Sequence, residues 1–225
     1  MFPFISEGVE KFYSDRKTAI KEFTKFILLE KNEVVIIGSS LKGILDPTEE
    51  QHSKKEFADI LREKIKEGVR IRFLMTHPAL AFLREDAEGR ARGAIKVEII
   101  RTLKYLIGGK YCGKDEKAIG IAMNNILLYH GTPTIFAIIV SDRMLINPYT
   151  YQANAYENFC FEISRRGDHN LYSKILSAHY QKPWDNNETR TVLTDEIMDN
   201  IEKITIKDIF KERSEEFETS LTTNN

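Results

Sequence analysis

The chain has 225 residues, of which 42% are apolar and 30% are charged, and its formal net charge is −1. This composition is typical of a globular protein and excludes a disordered chain. The near-neutral charge argues against a protein that coats nucleic acid without regard to sequence, although a local basic patch remains compatible with it.

The two cysteines, Cys112 and Cys160, show no paired spacing, so the sequence predicts neither a disulfide framework nor a zinc site, and no cofactor. The first residues lack the basic region of a signal peptide. No apolar stretch approaches the roughly 18 residues needed to cross a bilayer. We therefore expect a cytoplasmic protein without a membrane span.

The first part of the chain predicts helices and then a strand. Apolar residues in 7–30 follow a helical spacing in two pieces, and Ser14 and Asp15 predict the N-cap of the second piece. Residues 34–37 are wholly apolar and are followed by Gly38, Ser39 and Ser40. This pattern predicts a buried strand that runs into a polar loop.

The next stretch predicts a βαβ unit. Residues 57–66 have apolar side chains at helical spacing, Gly68 ends that helix, and residues 69–75 alternate as a strand does. A strand, a helix and a second strand imply parallel strands joined by a right-handed crossover. Thr76, His77 and Pro78 then leave the second strand as a loop.

The middle of the chain predicts one long charged helix over 84–107 and a strand within 118–128. The clearest local pattern follows: two apolar runs, 135–140 and 144–146, flank the polar turn 141–143 and predict a β-hairpin. Beyond it we predict a strand over 159–163 and a helix over 171–180 that leads to Trp184.

The composition changes after Trp184. Residues 185–188 are polar and predict a linker, and residues 197–210 predict a marginal amphipathic helix. No internal repeat is present. We therefore divide the chain into one domain over 1–185 and a linker with a helical tail over 186–225.

Taken together, these elements predict an α/β fold with a mixed, mostly parallel β-sheet flanked by helices on both faces. Their order over residues 30–185 resembles the phospholipase D superfamily. The resemblance rests on the strand that ends in Gly-Ser-Ser, on G-V-R-I-R-F-L, on the hairpin I-F-A-I-I-V-S-D-R-M-L-I-N and on E-N-F-C-F-E-I before a helix that ends at Trp184.

The resemblance implies a particular chemistry. Family members carry His-x-Lys, an Asp a few residues later, and a Gly-Ser followed by Asn across the hairpin. The His attacks phosphorus, and the Lys and Asn neutralise phosphoryl oxygens. A second copy of the motif supplies the proton for the leaving group, and single-copy members obtain it by dimerising, so the resemblance also implies a homodimer.

This signature is degenerate here. When the hairpin turns are aligned, the His and Lys positions fall on Thr134 and Phe136, and the Asp position falls on Ser141. When His130 is taken as the His, the Lys position is Thr132. Either alignment loses the lysine. The Gly-Ser becomes Asn147-Pro148, and the residues that correspond to the downstream Asn and Glu are Asn147, Asn154 and Glu157.

Several residues are candidates for binding an anion at the strand ends. Ser39 and Ser40 offer hydroxyls and backbone amides, or they form a plain turn. His77 donates to an anion or has a structural role. Arg84 or Arg92 reaches the pocket, or both form an exposed ion-pair ladder with Glu88.

The hairpin supplies the remaining candidates. Thr132 and Thr134 stand where it opens, with hydroxyls that face the expected active site, and Tyr149 lies in an aromatic loop that stacks a base or packs in an interface.

Two functions of different classes follow. The first is a catalytically inactive phospholipase D-like module that binds a phosphate-bearing or other anionic ligand, such as a phosphorylated small molecule or nucleic acid, or a protein partner. The alternative is a divergent phosphodiesterase or nuclease with His130 as nucleophile, with Arg residues replacing the lysine and with Asn147 and Glu157 in the site. A structural subunit, in which side chains fill the strand-end pocket, is the third interpretation.

Overall fold

The computed structural model describes residues 8–45, 52–113, 117–149, 158–165 and 171–210, with the backbone alone at 52–54. The strands are β1 (Val9–Tyr13), β2 (Glu33–Gly38), β3 (Arg70–Thr76), β4 (Ile126–Tyr129), β5 (Ile135–Ile139), β6 (Arg143–Pro148), β7 (Cys160–Ser164) and β8 (Arg190–Val192). The α-helices are α1 (Arg16–Leu29), α2 (Lys42–Leu45), α3 (His52–Lys66), α4 (Ala81–Glu88), α5 (Ala94–Ile107), α6 (Leu171–Leu176), α7 (Lys182–Asp185), α8 (Asp195–Asn200) and α9 (Ile206–Ile209).

These strands form one sheet in the order β1-β7-β6-β5-β2-β3-β4-β8. Only β2, β3 and β4 run parallel to one another, and every other neighbouring pair is antiparallel. The prediction of a mixed sheet is confirmed, but the prediction that it is mostly parallel is wrong. The predicted βαβ unit accounts for the parallel strands, whereas the tight β5–β6 turn forces the chain to reverse direction.

Helices cover both faces of the sheet, as predicted. One apolar core lies between the sheet and helices α1, α3 and α5, where Phe23, Leu61 and Leu103 are fully buried. A second, smaller core lies between the other face and the helical segment 171–185, with Tyr172 and Tyr180 buried in it. Strands β2 and β4 are thus covered on both sides and are largely apolar, whereas β3 carries Arg70 and Arg72 in its first half.

The N-terminal helical piece predicted within 7–30 is wrong. Residues Val9–Tyr13 form edge strand β1, which pairs antiparallel with β7. The spacing of Val9, Phe12 and Tyr13 fits a helix, but five residues are too few to decide between periods, and pairing with β7 overrides the local pattern. The second piece is α1, and Asp15 caps it by accepting a hydrogen bond from the Thr18 amide at 2.8 Å.

The long helix predicted over 84–107 is two helices, α4 and α5. Gly89 and Gly93 interrupt it with φ of 65° and 83°, a left-handed conformation that favours glycine. The Glu85 carboxylate accepts hydrogen bonds from the amides of Gly93, Ile95 and Lys96 and so caps the second helix. This break separates Arg92 from the face that carries Arg84.

Two other stretches differ from the sequence prediction. Within 118–128, only the last residues belong to strand β4. Within 197–210, two short helices, α8 and α9, replace a single helix, and strand β8 precedes them and pairs with β4. Leu193, Met198 and Ile201 are buried in the larger core, which explains why this stretch has apolar residues at helical spacing.

Candidate functional site: the strand-end pocket

The carboxyl ends of the three parallel strands meet at one edge of the sheet, together with the open end of the β5–β6 hairpin. Ser39 follows β2, His77 follows β3 and His130 follows β4. Backbone hydrogen bonds join the strand tips: the Thr76 amide donates to the Ser39 carbonyl at 3.3 Å, and the His77 amide donates to the Tyr129 carbonyl at 3.1 Å. This edge is where ligands bind in open α/β sheets.

A pocket of about 360 Å³ opens at the end of β2, and we call it the strand-end pocket. Its walls come from α1, the loop after β2, α2, the α4–α5 connection, α5, β5 and the residue after β6. Three basic and two acidic residues contribute to its lining, which consists of Arg16, Ser39, Ser40, Leu41, Lys42, Gly43, Ile44, Glu88, Arg90, Ile95, Glu98, Phe136 and Tyr149.

The turn after β2 is tightly packed. Leu41 has a φ of 55°, a left-handed conformation that non-glycine residues rarely adopt. A Cβ atom at Gly38 would lie 2.5 Å from the Leu41 side chain and 3.2 Å from the Tyr149 hydroxyl. Gly38 is therefore needed for the backbone to approach Tyr149, whose hydroxyl accepts a hydrogen bond from the Ser39 amide at 3.2 Å.

Arg16 is a basic residue of the pocket lining, and it was not among the predicted site residues. It is the first residue of α1, it is only 6% exposed, and its guanidinium carbon lies 4.8 Å from the centroid of the Phe136 ring. A cation at a helix N-terminus is opposed by the helix dipole, and burial removes it from water. Stability alone therefore does not favour an arginine there. The signal available in the sequence was a basic residue at the first position of the predicted helix.

Lys42 and Arg90 add two more cations and share the carboxylate of Glu98. Arg90 binds it with both terminal nitrogens, at 2.9 and 2.5 Å, and Lys42 Nζ lies 3.2 Å from it. Burial by itself raises the pKa of Glu98, but the hydrogen bonds from Arg90 and Lys42 outweigh it, so the pKa lies below its usual range. Glu98 is therefore a carboxylate that holds two cations at the pocket wall.

Arg84 lies behind the pocket and supports it. The side chain is 6% exposed, its guanidinium carbon stands 3.9 Å from the centroid of the Tyr149 ring, and Nη2 lies 2.7 Å from a Glu88 oxygen. The predicted Arg84–Glu88 part of the ladder is present, but in a buried setting. Arg92 is exposed, pairs with Asp86 at 3.0 Å and does not line the strand-end pocket.

Several buried polar atoms near this edge have no hydrogen-bond partner among the described residues. They are the hydroxyl oxygens of Ser39, Thr76 and Thr132, the Arg84 Nε and the side-chain oxygen of Asn147. Buried polar groups are normally paired, and an unpaired one costs about 1–3 kcal/mol. Arg72 Nε, at the other end of the sheet, is also buried without a hydrogen bond, so the unpaired atoms are concentrated at this edge but not confined to it.

His77 is buried and neutral. Its Nδ1 accepts a hydrogen bond from the Ala79 amide at 3.2 Å, so the neutral ring carries its proton on Nε2. Burial, with the nearby charges of His130 and Lys96, lowers its pKa to about 3. His77 caps the short turn Pro78–Leu80 and does not line the strand-end pocket, which agrees with its structural interpretation.

His130 is held by the segment that leads into β8. Its Nδ1 lies 3.2 Å from the Glu188 carbonyl and its Nε2 lies 2.7 Å from the Thr191 hydroxyl. Its ring centroid is 6.0 Å from that of His77 and 5.9 Å from that of Phe210. Both ring nitrogens are thus engaged, an arrangement that does not favour a nucleophile.

The hairpin residues take different positions. Thr134 is exposed, whereas Phe136 is 1% exposed and pairs across the hairpin with Asn147. Asn147 is fully buried, and its side-chain nitrogen donates to the Phe159 carbonyl at 2.9 Å, which joins β6 to the start of β7. Glu157 and Asn154 lie outside the described residues.

The described part of the chain contains no cluster of His, Cys, Asp or Glu that could hold a metal ion, and Cys112 and Cys160 form no disulfide there. None of the helices in the described ranges is long and apolar enough to span a membrane.

No protein-family model and no curated protein sequence matches this chain. Solved structures are similar to it, and three of them are the following. TrmBL2, an archaeal chromatin protein that binds DNA, shares 13% identity at a TM-score of 0.39, over 80% of this chain and 56% of that chain. Phosphatidylserine synthase from Haemophilus influenzae shares 11% identity at a TM-score of 0.47, over 88% of this chain and 43% of that chain.

The third structure is Nuc from Salmonella typhimurium, a member of the phospholipase D family, with 13% identity, a TM-score of 0.38 and coverage of 72% of this chain and 86% of that chain. The present chain thus spans about half the length of the first two proteins. Because each TM-score is below 0.5, no activity, substrate or partner follows from these similarities.

Proposed function

We propose that this chain is a degenerate phospholipase D-like module that binds a phosphate-bearing ligand in the strand-end pocket and does not hydrolyse it. One observation carries the proposal: the Arg16 guanidinium lies over the Phe136 ring, at the position where the resemblance expects the catalytic lysine. The positive charge is retained at the site, but it comes from helix α1 instead of strand β5.

The loss of hydrolysis follows from the residues at the chemical positions. Thr134 and Phe136 provide neither an imidazole nucleophile nor a charge, and His130 uses both ring nitrogens to bind the segment before β8. Removing one donor that stabilises a developing oxyanion costs about 2.7–4 kcal/mol in typical enzymes, and removing the nucleophile costs more. The two-step phosphodiester hydrolysis of the family therefore has no complete set of groups here.

The retention of binding follows from the pocket. Guanidinium groups bind phosphate oxygens in pairs, and hydroxyls and backbone amides of small residues complete such sites. Arg16, Ser39 and Lys42 line one pocket, and the Ser39 hydroxyl has no partner among the described residues. Side chains do not fill the pocket, which argues against a purely structural subunit.

An isothermal titration with inorganic phosphate tests binding. The Arg16→Gln variant should bind about 10-fold more weakly than the wild-type protein, a loss of roughly 1.4 kcal/mol, because a charge-assisted hydrogen bond is removed. Arg92→Gln is the matched control, since Arg92 is an exposed arginine outside the strand-end pocket. Equal affinities of wild type and Arg16→Gln would refute the proposed site.

A second measurement tests catalysis. We expect the wild-type protein and the His130→Ala variant to release p-nitrophenol from bis(p-nitrophenyl) phosphate at the same background rate. Turnover by the wild-type protein that is lost in His130→Ala would establish the divergent phosphodiesterase instead.

The homodimer that the resemblance implies is part of the same proposal. A different protein partner is the alternative for the same exposed surface, the β1–β7 edge. Phe12 and Phe159 are exposed and flank Phe161 at the β1–β7 edge, where the ring centroids lie 6.1 and 6.3 Å apart. Exposed aromatic clusters mark interfaces more often than isolated apolar residues do. Light scattering coupled to size-exclusion chromatography should give the mass of two chains, and a Phe12→Ser variant should lower it.

A further inference from the structure

We infer that the ligand of the strand-end pocket is a small molecule with a terminal phosphate monoester, not a nucleic-acid strand or another phosphodiester. The inference rests on the proposed function, since it names the class of ligand for the same pocket. Four features of the pocket support it: its size, its covered aromatic rings, its acidic wall and the number of its cations.

The size of the pocket fits a small molecule. Its volume is about 360 Å³, within the range of roughly 300–1,000 Å³ found for small-molecule sites. The walls come from several separate parts of the chain, from α1 to the residue after β6. A single-stranded nucleic acid instead needs an extended groove that follows several nucleotides.

The aromatic rings of the pocket are already covered. Single-strand-binding proteins stack bases on open aromatic faces. Here Phe136 is 1% exposed beneath the Arg16 guanidinium, and Arg84 lies 3.9 Å from the centroid of the Tyr149 ring. Arginines therefore cover the two aromatic rings of the lining. The ring faces are not open for bases to stack on, as they are in single-strand-binding proteins.

The acidic residues in the lining oppose a polyanion. Glu98 is a carboxylate held by Arg90 and Lys42, and Glu88 accompanies it on the same wall. A strand with a phosphate every few ångströms places further negative charges against this wall, and unpaired like charges are costly at close range. A single terminal phosphate next to Arg16 and Ser39 avoids this repulsion.

The cations favour a doubly charged group. A phosphate monoester carries a charge of about −1.5 to −2 at neutral pH and three terminal oxygens, whereas a diester carries one charge and two such oxygens. Arg16 offers a planar two-pronged donor, Lys42 a point charge and Ser39 a hydroxyl, while the Ser39 amide donates to the Tyr149 hydroxyl. These groups outnumber the oxygens of a diester and match those of a monoester.

A set of three small anions tests the inference without depending on the rest of the ligand. Methyl phosphate is the monoester, dimethyl phosphate is the diester, and methyl sulfate has the shape of the monoester with a single charge. Each is titrated into the ¹⁵N-labelled full chain, with the Ser39 amide shift as the readout. We expect methyl phosphate to bind about 10-fold more tightly than either of the others, because one extra charge-assisted contact is made.

The pH dependence gives an internal check. Affinity for methyl phosphate should fall several-fold between about pH 7.5 and 5.5, as the ligand takes up its second proton near pH 6, whereas affinity for methyl sulfate should stay constant. Among the residues whose side chains the structure describes, no histidine lines the strand-end pocket, and the ionisable ones that do are Arg16, Lys42, Arg90, Glu88, Glu98 and Tyr149. The hydrogen bonds of Glu98 to Arg90 and Lys42 keep its pKa low, so the expected change belongs to the ligand.

The outcomes separate the inference from the proposed function. Two outcomes would overturn the monoester inference while leaving anion binding intact. One is equal affinity for the three anions, and the other is binding of a single-stranded oligonucleotide of about twelve nucleotides that Arg16→Gln weakens. Absence of binding by all three anions and by inorganic phosphate would refute the proposed function itself. Tighter binding of methyl phosphate, lost in Arg16→Gln and kept in Arg92→Gln, supports both.

Discussion

The two ends of strands β2 and β3 are built on opposite principles. At their amino ends, buried charges are paired: the Glu30 carboxylate accepts hydrogen bonds from the Ser141 amide and hydroxyl at 2.7 and 2.8 Å, and Lys64 Nζ donates to the Glu30 carbonyl at 3.0 Å. At their carboxyl ends, Ser39 and Thr76 bury hydroxyls without a partner among the described residues. The amino end pairs its buried charges, whereas the carboxyl end carries the buried hydroxyls on which the proposed ligand site is based.

The arginines at the two ends are alike. Arg72, at the amino end, donates to the Tyr180 hydroxyl at 2.6 Å, lies 3.2 Å from Glu33 and stacks 4.4 Å from the Trp184 ring. Arg84, at the carboxyl end, also stacks on an aromatic ring and lies 2.7 Å from Glu88, and the Nε atoms of both arginines are buried without a hydrogen bond in the described ranges. The difference between the two ends therefore lies in the buried hydroxyls, not in the arginines.

The largest effect should come from breaking the paired end. Glu30→Ala removes the acceptor of the Ser141 amide and hydroxyl and of the Asn32 amide, and it leaves buried donors unpaired. We expect a loss of about 3 kcal/mol in the free energy of unfolding, measured by urea denaturation, with phosphate affinity unchanged in the folded protein. A loss below about 0.5 kcal/mol would mean that this end does not stabilise the fold as described.

An intermediate effect should appear at His77 as a pH dependence. Its pKa is lowered to about 3 in the folded protein, against about 6.5 in the unfolded chain, so the unfolded state binds the proton first as the pH falls. Stability should therefore decrease by up to about 1.4 kcal/mol per pH unit below pH 6.5, and above that pH the group has no effect.

The His77→Asn variant isolates this contribution. Asn keeps an acceptor for the Ala79 amide at the helix cap but does not titrate. Urea denaturation between about pH 7 and pH 5, where most carboxylates remain ionised, should show a shallower decline for the variant than for the wild-type protein. Parallel curves for the two proteins would show that His77 is not held neutral.

The smallest effect should come from the ligand end. Tyr149→Phe removes the acceptor of the Ser39 amide but keeps the ring that Arg84 covers. We expect a loss of about 1 kcal/mol in the free energy of unfolding without phosphate, and a smaller loss with phosphate, because the ligand then accepts from the Ser39 amide. A loss as large as that of Glu30→Ala would erase the contrast between the two ends.

Local patterns were sufficient for the elements whose signals are local. The apolar run before Gly38, the alternation up to Thr76 and the hairpin around Ser141 are β2, β3 and the β5–β6 pair in the structure. Because side-chain period and turn chemistry act over a few residues, they are visible in the sequence. The joint location of Ser39 and His77 at one sheet edge followed from the direction of the two parallel strands, whereas the pairing of β4 with β3, which brings His130 there, was visible only in the structure.

The remaining features depend on contacts between distant residues. Strand β1 was misread because its pairing with β7 decides its conformation, and the break at Gly89 and Gly93 decides where Arg90 and Arg92 point. The sequence by itself determined that neither alignment of the hairpin, on Thr134 and Phe136 or on His130 and Thr132, retains the lysine. Only the tertiary structure placed Arg16 over Phe136, since no local pattern links a helix start to a strand 120 residues later. Packing in three dimensions, which depends on the whole chain, decided where the positive charge of the site comes from.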